Sequence, residues 1–197
     1  AIYTFRSTLA NDWVKGRFVL AGDSAHLTPP FMGQGMCIGL RDTSNLAWKL
    51  ISILKGHTTL SFLNSYQIER RPHAKEYILT AIKLGKMLGE LRLEASGEKR
   101  KPIHMKSLTP KIGKAFKIKE ANFARNLSMQ PMLSNGEYID ELIGYNFCLY
   151  IDEELAKDYK MDAIDIPIFR SNYDTSVKEY LKSLSTKAIL VRPDKYV

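Results

Sequence analysis

The stretch from Gly16 to Leu50, GRFVLAGDSAHLTPPFMGQGMCIGLRDTSNLAWKL, decides how this chain can be interpreted. It opens with an apolar run, Arg17 to Ala21, which predicts a short buried strand that ends in Gly-Asp. A loop rich in proline and glycine follows from Thr28 to Gly35. Apolar residues at helical spacing then predict a helix that stops near Gly56. Ligands of open α/β sheets collect at this kind of strand end, so we expect a ligand site here.

The residue types in this stretch suit a ligand that carries hydroxyls and a flat ring. The carboxylate of Asp23 can accept hydrogen bonds from a polyol, and Gly33 and Gly35 leave room for a ring against bare backbone. The N-terminal N–H groups of the following helix favour negative charge at the same place. Taken singly, each piece is also typical of an ordinary turn or loop, and His26 of a structural histidine.

Taken in order, GDSAHLTPPFMGQGM and GLRDTSNLAWKL resemble the second flavin-binding motif of the class A flavoprotein monooxygenases, the para-hydroxybenzoate hydroxylase-like family. The subgroup that they resemble most is the phenol hydroxylase and 3-(3-hydroxyphenyl)propionate hydroxylase type. The run YQIERRPHA, Tyr66 to Ala74, is similar to the family's next helix, where a Glu-Arg-Arg-Pro sequence recurs and has a structural role. The terminal AILVRPDKYV resembles the end of the thioredoxin-like C-terminal domain of the phenol hydroxylase subgroup.

This resemblance implies a set of residues that bind FAD. Asp23 is expected to hold the ribityl hydroxyls, and the family usually has asparagine where this chain has Cys37. Because that contact is made largely by the backbone N–H, FAD binding is expected in spite of the cysteine. Whether Cys37 changes the properties of the bound flavin is left open by the sequence. His26 is expected to brace the loop. The implied FAD-binding residues are Gly22, Asp23, Pro30, Gly33, Gly35, Met36 and Cys37.

The resemblance also implies an activity. The intact parent would bind FAD, be reduced by NADH or NADPH, and hydroxylate a phenolic ring through a flavin C4a-hydroperoxide. No side chain in the chain is a convincing catalytic acid or base, and no metal-ligand spacing is present. Two alternatives stay open: another oxygenase of the same flavin superfamily, such as a halogenase or tailoring enzyme, and a non-catalytic module that binds a partner chain.

Two family motifs are missing from the sequence. A G-x-G-x-x-G turn that would hold the FAD pyrophosphate is absent, and so is the middle Asp-Gly motif. We therefore expect a C-terminal fragment that lacks the N-terminal half of its enzyme and is inactive by itself. A homodimer is a further expectation.

The order of predicted elements indicates an α/β fold in three parts. Residues 1–95 would be the C-terminal part of the FAD-binding monooxygenase domain, with a strand at Ala1 to Phe5 and long helices. The second helical stretch would run from near Leu60 to Arg71, and Pro72 would either kink it or open a new helix that reaches about Leu93. Residues 96–120 are basic and read as an exposed connector. Residues 121–197 alternate strands with helices and would form a small thioredoxin-like domain, truncated at its end, without a redox Cys-x-x-C.

Composition narrows the setting of the protein. The 197 residues carry 29 lysines and arginines against 21 acids, a formal charge of +8, but no aromatic platform or zinc spacing accompanies the basic residues. We expect no nucleic-acid partner. Apolar runs stay short of the roughly 20 residues that span a bilayer. Cys37 and Cys148 are far apart, which favours reduced thiols over a disulfide and a cytoplasmic location.

Overall fold

The structure is a computed structural model, and the residues described are 4–93, 108–116, 121–159 and 165–197. The chain folds as two compact units, Ala1–Lys117 and Ile118–Val197. In the described ranges, no helix is long and apolar enough to cross a membrane.

The first unit contains short strands and two long helices. The strands are β1 (Thr8–Leu9), β2 (Val14–Lys15), β3 (Phe18–Val19) and β4 (His26–Leu27). β1 pairs with β4 and β2 with β3, both antiparallel. The helices are α1 (Gly35–Leu54) and α2 (Asn64–Leu93), and 3-10 turns lie at Gly22–Ser24, Pro30–Met32 and Leu60–Leu63.

Two strand predictions in this unit were wrong in detail. The run Arg17 to Ala21 forms only the two residues of β3, and Phe18 is 83% exposed instead of buried. Only alternate residues of the run, Val19 and Ala21, pack against the core around Trp13, so the run lies at the edge of the unit. The predicted strand at Ala1 to Phe5 is also not seen at Thr4 and Phe5, and its first three residues lie outside the described ranges.

Helix α1 buries a polar face and exposes an apolar one, the reverse of what its composition predicts. Trp48 and the polar side chains of Asp42, Asn45 and Lys49 are buried, and all lie on one side of the helix. Several of the apolar residues that predicted the helix lie on the opposite side, where Leu40 is 60% and Leu54 85% exposed. The polar face is buried because it is paired with charged side chains of α2, so ion pairs instead of apolar contacts join the two helices here.

Helix α2 continues through Pro72 without ending. Proline has no N–H, so it removes one hydrogen bond from the helix ladder. Close to that point the N–H of Gly113 donates to the carbonyl oxygen of Glu69 at 2.8 Å. Ile112 beside it is buried, so residues 108–116 of the expected connector pack against α2.

The second unit is a small α/β arrangement, as expected. Its three-stranded sheet has the order β6-β5-β7, with β5 (Cys148–Ile151), β6 (Ile168–Arg170) and β7 (Ala188–Val191). β5 is parallel to β6 and antiparallel to β7. The helices are α3 (Ile139–Ile143), α4 (Glu153–Lys157) and α5 (Thr175–Ser183).

The core of the second unit explains this arrangement. Inward-facing residues of β5 and β7 pack against Val177, Tyr180 and Leu181 of α5. Asp152 and Asp174 cap α4 and α5 by accepting hydrogen bonds from the backbone two residues on. Both Cys148 here and Cys37 in the first unit are free thiols, and burial raises the pKa of Cys148 to about 11.

Candidate functional site

The turn Gly22–Ser24 is built by local hydrogen bonds. The hydroxyl of Ser24 donates to the carbonyl oxygen of Ala21 at 2.7 Å and accepts from the Ala21 N–H at 3.1 Å. Gly22 has φ +56°, a left-handed conformation that side chains rarely adopt. Asp23, between the two, is exposed. The turn therefore leaves the Asp23 carboxylate free to meet a ligand.

The same turn lies against the start of α1. A Cβ added to Gly39 would come within 3.4 Å of the Gly22 Cα, so the two backbones touch without intervening side chains. This contact places Asp23 beside the first turns of the helix.

The N-terminus of α1 is open. No side chain caps it at Gln34, and in the described chain no acceptor is found for the backbone N–H groups of Gly35, Met36 and Cys37. The first N–H groups of any helix lack partners within the helix and carry partial positive charge. Met36 is 76% exposed, so this end of the helix is accessible. It can donate hydrogen bonds to oxygen or nitrogen acceptors of a bound ligand.

The proline loop between these two features is held against α2. Pro30 begins the short turn Pro30–Met32, and Gly33 closes it at φ +62° with its N–H donating to the Pro30 carbonyl at 2.9 Å. The ring of Phe31 lies directly over Gly85 of α2, where any Cβ would overlap it. Glycine in the middle of α2 thus makes room for the loop.

A buried carboxylate ties these parts together. Oδ2 of Asp42 lies 2.7 Å from Nε2 of His26 and accepts from the Gly22 N–H at 3.2 Å. Oδ1 accepts from Nε of Arg70 at 2.9 Å. His26, Asp42 and Arg70 are all at most 1% exposed. His26 is joined to the turn through the Asp42 carboxylate, which agrees with the bracing role expected of it.

A second buried cluster joins the same helices further along. Nζ of Lys49 donates to Oε2 of Glu69 and to Oδ1 of Asn45, at 2.8 and 2.9 Å. The Asn45 amide also donates to Glu69, at 2.8 Å. The charged pairs Asp42–Arg70 and Lys49–Glu69 therefore connect the motif GLRDTSNLAWKL with the Glu-Arg-Arg-Pro run.

The surroundings of this cluster change the pKa values of two neighbouring side chains, His73 and Tyr66. Burial, with the nearby Arg70, Arg41 and His26, lowers the pKa of His73 to about 2, so His73 is neutral at ordinary pH. Burial, with Asp42 next, raises the pKa of Tyr66 far above its usual value. The neutral Tyr66 hydroxyl donates to the Leu20 carbonyl at 3.0 Å. Both groups act here as neutral packing residues.

The predicted site residues all lie between the turn at Gly22 and Cys37 in the first turn of α1. Sequence reasoning missed the residues beneath them, Asp42, Asn45 and Lys49, and did not pair them with Glu69 and Arg70. A signal was present in the sequence: polar residues at positions 42, 45 and 49 share one side of a helix whose other side is apolar.

Comparisons with known proteins agree with this arrangement. Residues 1–81 match the family model described as FAD binding domain. A probable NADH-specific resorcinol 4-hydroxylase of Rhodococcus jostii is 51% identical over 87 residues, which are 44% of this chain and 16% of that protein. A 3-(3-hydroxy-phenyl)propionate/3-hydroxycinnamic acid hydroxylase of Mycolicibacterium vanbaalenii is 37% identical over 111 residues, 56% of this chain and 20% of that protein.

Solved structures extend the likeness of fold to nearly the whole chain. Aklavinone-11 hydroxylase in complex with FAD and aklavinone superposes with a TM-score of 0.69 at 22% identity, covering 97% of this chain and 41% of that one. The anhydrotetracycline hydroxylase OxyS of Streptomyces rimosus gives 0.68 at 22% identity, with 96% and 42% covered. The matched part of the chain thus spans 16% and 20% of the two curated relatives and under half of these structures.

The fold and the motif together define a class: residues 1–81 are part of an FAD-binding domain. Over about half of its length the chain is similar to proteins named as aromatic hydroxylases, in agreement with the resemblance carried by its motifs.

The residues present fit FAD. Asp23 is exposed in the turn Gly22–Ser24, which Asp42 holds through the Gly22 N–H. The N–H groups of the uncapped N-terminus of α1 lie at the same end of the unit. An acceptor for hydroxyls next to donors for a ring edge is what a ribityl chain and its isoalloxazine require.

Proposed function

We propose that the protein containing this chain is an FAD-dependent monooxygenase that uses NADH or NADPH to hydroxylate a phenolic ring. The observation that carries the proposal is the exposed Asp23 carboxylate beside the uncapped N-terminus of α1, within an FAD-binding domain. The two curated relatives described above are named as hydroxylases of single-ring phenols, which favours this activity over a halogenase or a non-catalytic module.

Each proposed contact follows from the chemistry of the group. Asp23 would accept hydrogen bonds from the ribityl hydroxyls, since a carboxylate is a strong acceptor. Backbone N–H groups of Gly35, Met36 and Cys37 would donate to the N1/O2 edge of the ring, where the helix dipole favours negative charge. Gly22, Pro30 and Gly33 would shape the loop beside the ring.

Bound FAD supplies the redox chemistry, and the chain supplies position and electrostatics. The described groups around the turn and α1 would provide hydrogen-bond donors and acceptors to the cofactor, and Pro30, which begins the turn Pro30–Met32, would lie beside the ring. Burial lowers the pKa of His73 to about 2, so this side chain is neutral at ordinary pH.

The exposed apolar side of α1 supports a second part of the proposal, that the remaining part of the FAD-binding fold packs on this chain. Met36, Leu40, Ile51 and Leu54 form one stripe, each between 45% and 85% exposed. Large exposed apolar stripes of this kind mark interaction surfaces. The solved relatives are more than twice as long as the part matched here, so they contain the chain needed to cover it.

Several finer assignments belong to the same proposal. The three-part division at 1–95, 96–120 and 121–197 is retained as a working division, although the boundary between the two compact units falls at Lys117 and residues 108–116 pack on α2. A cytoplasmic location, a homodimer and the lack of nucleic-acid partners follow from composition and resemblance alone.

The experiment is to purify the protein with all the sequence that adjoins this chain naturally, and to measure its bound flavin and its NADH and NADPH oxidation. Resorcinol and 3-(3-hydroxyphenyl)propionate are the phenolic probes, and 3-phenylpropionate, without a ring hydroxyl, is the control. We expect a yellow protein that inserts labelled oxygen from dioxygen into a phenolic probe. A protein without flavin, or one that oxidises NAD(P)H without oxygen insertion into any phenol, would contradict the proposal.

A further inference from the structure

Asp42 connects several elements beneath the proposed FAD site, although it does not reach the surface. Its carboxylate is 0% exposed. It forms hydrogen bonds with the Gly22 N–H of the turn, with the His26 ring of β4 and with the Arg70 guanidinium of α2. These three partners come from three different elements of the first unit. A single buried group therefore fixes the position of the turn relative to both long helices.

The bond to Gly22 differs from the other two because of where it lies. The Gly22 N–H is one peptide from Asp23, and the turn at this point has a left-handed φ of +56°. The Ser24 hydroxyl holds the turn's own shape through Ala21, whereas Asp42 holds the turn to the rest of the unit. Losing the Asp42 acceptor would leave the internal turn intact but free to shift.

We propose that Asp42 is a positioning residue for the cofactor: through the Gly22 N–H it sets the place of Asp23, and the contact with Arg70 orients the carboxylate. This inference rests on the proposed function, since it assumes that Asp23 meets the ribityl chain of FAD. It assigns a cofactor-directed role to a residue with no contact to solvent, and it connects the Glu-Arg-Arg-Pro run to the flavin through Arg70.

The test must separate positioning from simple stability, because removing one partner of a buried ion pair destabilises a protein strongly. Two double variants remove the pair together. Asp42→Asn/Arg70→Met keeps a side-chain oxygen for the Gly22 N–H, and Asp42→Leu/Arg70→Met provides none. The control Lys49→Met/Glu69→Gln disrupts the neighbouring buried pair without touching Gly22.

Two readouts are measured for each variant. The first is hydrogen exchange of the Gly22 amide in the chain itself, which needs no cofactor. The second is the FAD dissociation constant in the protein with its adjoining sequence. It is measured for each variant at a temperature equally far below the thermal midpoint of its own apoprotein. If the leucine variant does not fold, Asp42→Ala/Arg70→Met serves as the acceptor-free variant.

We expect the asparagine variant and the Lys49→Met/Glu69→Gln control to protect the Gly22 amide and to bind FAD within about threefold of the parent. The acceptor-free variant should lose that protection and bind FAD roughly tenfold more weakly, as for one lost hydrogen bond. Equal FAD affinity in the two Asp42 variants, or equal Gly22 protection, would overturn the inference. An unchanged protein that binds no FAD would instead overturn the proposed function, and with it this role for Asp42.

Discussion

The ammonium group of Lys49 lies 2.8 Å from the carboxylate of Glu69, and both side chains are buried. Charged groups seldom enter a protein interior unless they are paired and hydrogen-bonded, and Asn45 completes this pair by bonding to both. Together with Asp42 and Arg70, the cluster makes a polar seam between α1 and α2 where most helix pairs have an apolar one.

Replacing Lys49 alone should therefore be costly. We expect Lys49→Met to lower the free energy of unfolding by about 3–5 kcal/mol, because it leaves the Glu69 carboxylate buried without its cation. Lys49→Met/Glu69→Gln should recover a large part of that loss, since no uncompensated charge remains. Urea unfolding of the three proteins measures it. A double variant as unstable as the single one would show that the carboxylate is not the source of the cost.

Asp23→Ala should weaken FAD binding by about ten- to a hundredfold, because each charge-assisted hydrogen bond contributes roughly 1.5–3 kcal/mol. Its apoprotein should keep the parental thermal midpoint, since Asp23 is exposed. His26→Ala should weaken FAD binding less than Asp23→Ala does. It should lower the thermal midpoint of the apoprotein, because it removes a buried partner of Asp42.

Flavin fluorescence during FAD dissociation, in the protein with its adjoining sequence, measures this difference. Asp12→Ala is the matched control, an exposed aspartate away from the turn. Parental FAD affinity in Asp23→Ala would show that the motif does not hold the ribityl chain as proposed.

Gly85→Ala should loosen the proline loop with little change in overall stability. The added methyl group overlaps the ring of Phe31, which has to leave its place on α2, while alanine favours the helix by up to about 1 kcal/mol over glycine. We expect faster hydrogen exchange at the Gly33 amide, whose bond to Pro30 closes the loop.

Phe31→Ala/Gly85→Ala provides the control for that experiment. Without the ring there is no overlap, so adding the methyl group should change the Gly33 exchange rate much less than it does in the parent. The same acceleration in both backgrounds would mean that Gly85 acts on the loop by another route.

His73 should make the stability of the protein depend on pH below neutrality. Its pKa is lowered from 6.5 to about 2 in the folded state, so below pH 6.5 the unfolded chain binds a proton that the folded chain does not. Stability is then lost as the pH falls, by up to about 1.4 kcal/mol per pH unit. His73→Phe keeps the ring beside Tyr77 and removes the titration.

Denaturant unfolding of parent and His73→Phe between about pH 7 and pH 4 tests this, since the linkage acts below the unfolded pKa. The stability of the parent relative to the variant should fall steadily with the pH. A constant difference over that range would show that His73 titrates alike in both states.

Gly113 should control protease access to the segment 108–116. A Cβ there would overlap the carbonyl oxygen of Ile68 and crowd Pro72, so Gly113→Ala should detach the segment from α2. We expect trypsin to cut after Lys111 or Lys114 faster in this variant than in the parent, as read by mass spectrometry of the early fragments. Gly35→Ala is the control, because a Cβ added there would meet no neighbouring atom. Equal cleavage in parent and Gly113→Ala would contradict the packing of this segment.

The sequence by itself determined the likeness of residues 1–81 to FAD-binding domains, because the motif from Gly22 to Leu50 is specific in the order of its residues. It also determined the extent of α1, which ends at Leu54 just before the predicted stop at Gly56, and the alternation of strands and helices after Phe147. These features are local: strand and helix periods and stop residues act within one turn or one strand.

Only the tertiary structure decided which side of α1 is buried. Periodicity shows that a helix has two sides, but the side that faces inward depends on what α2 brings against it. Asp42, Asn45 and Lys49 are interior because Glu69 and Arg70, 20 to 28 residues further along, supply opposite charges and hydrogen bonds. A buried charge is stable only beside its partner, and that pairing is made in space, not along the sequence.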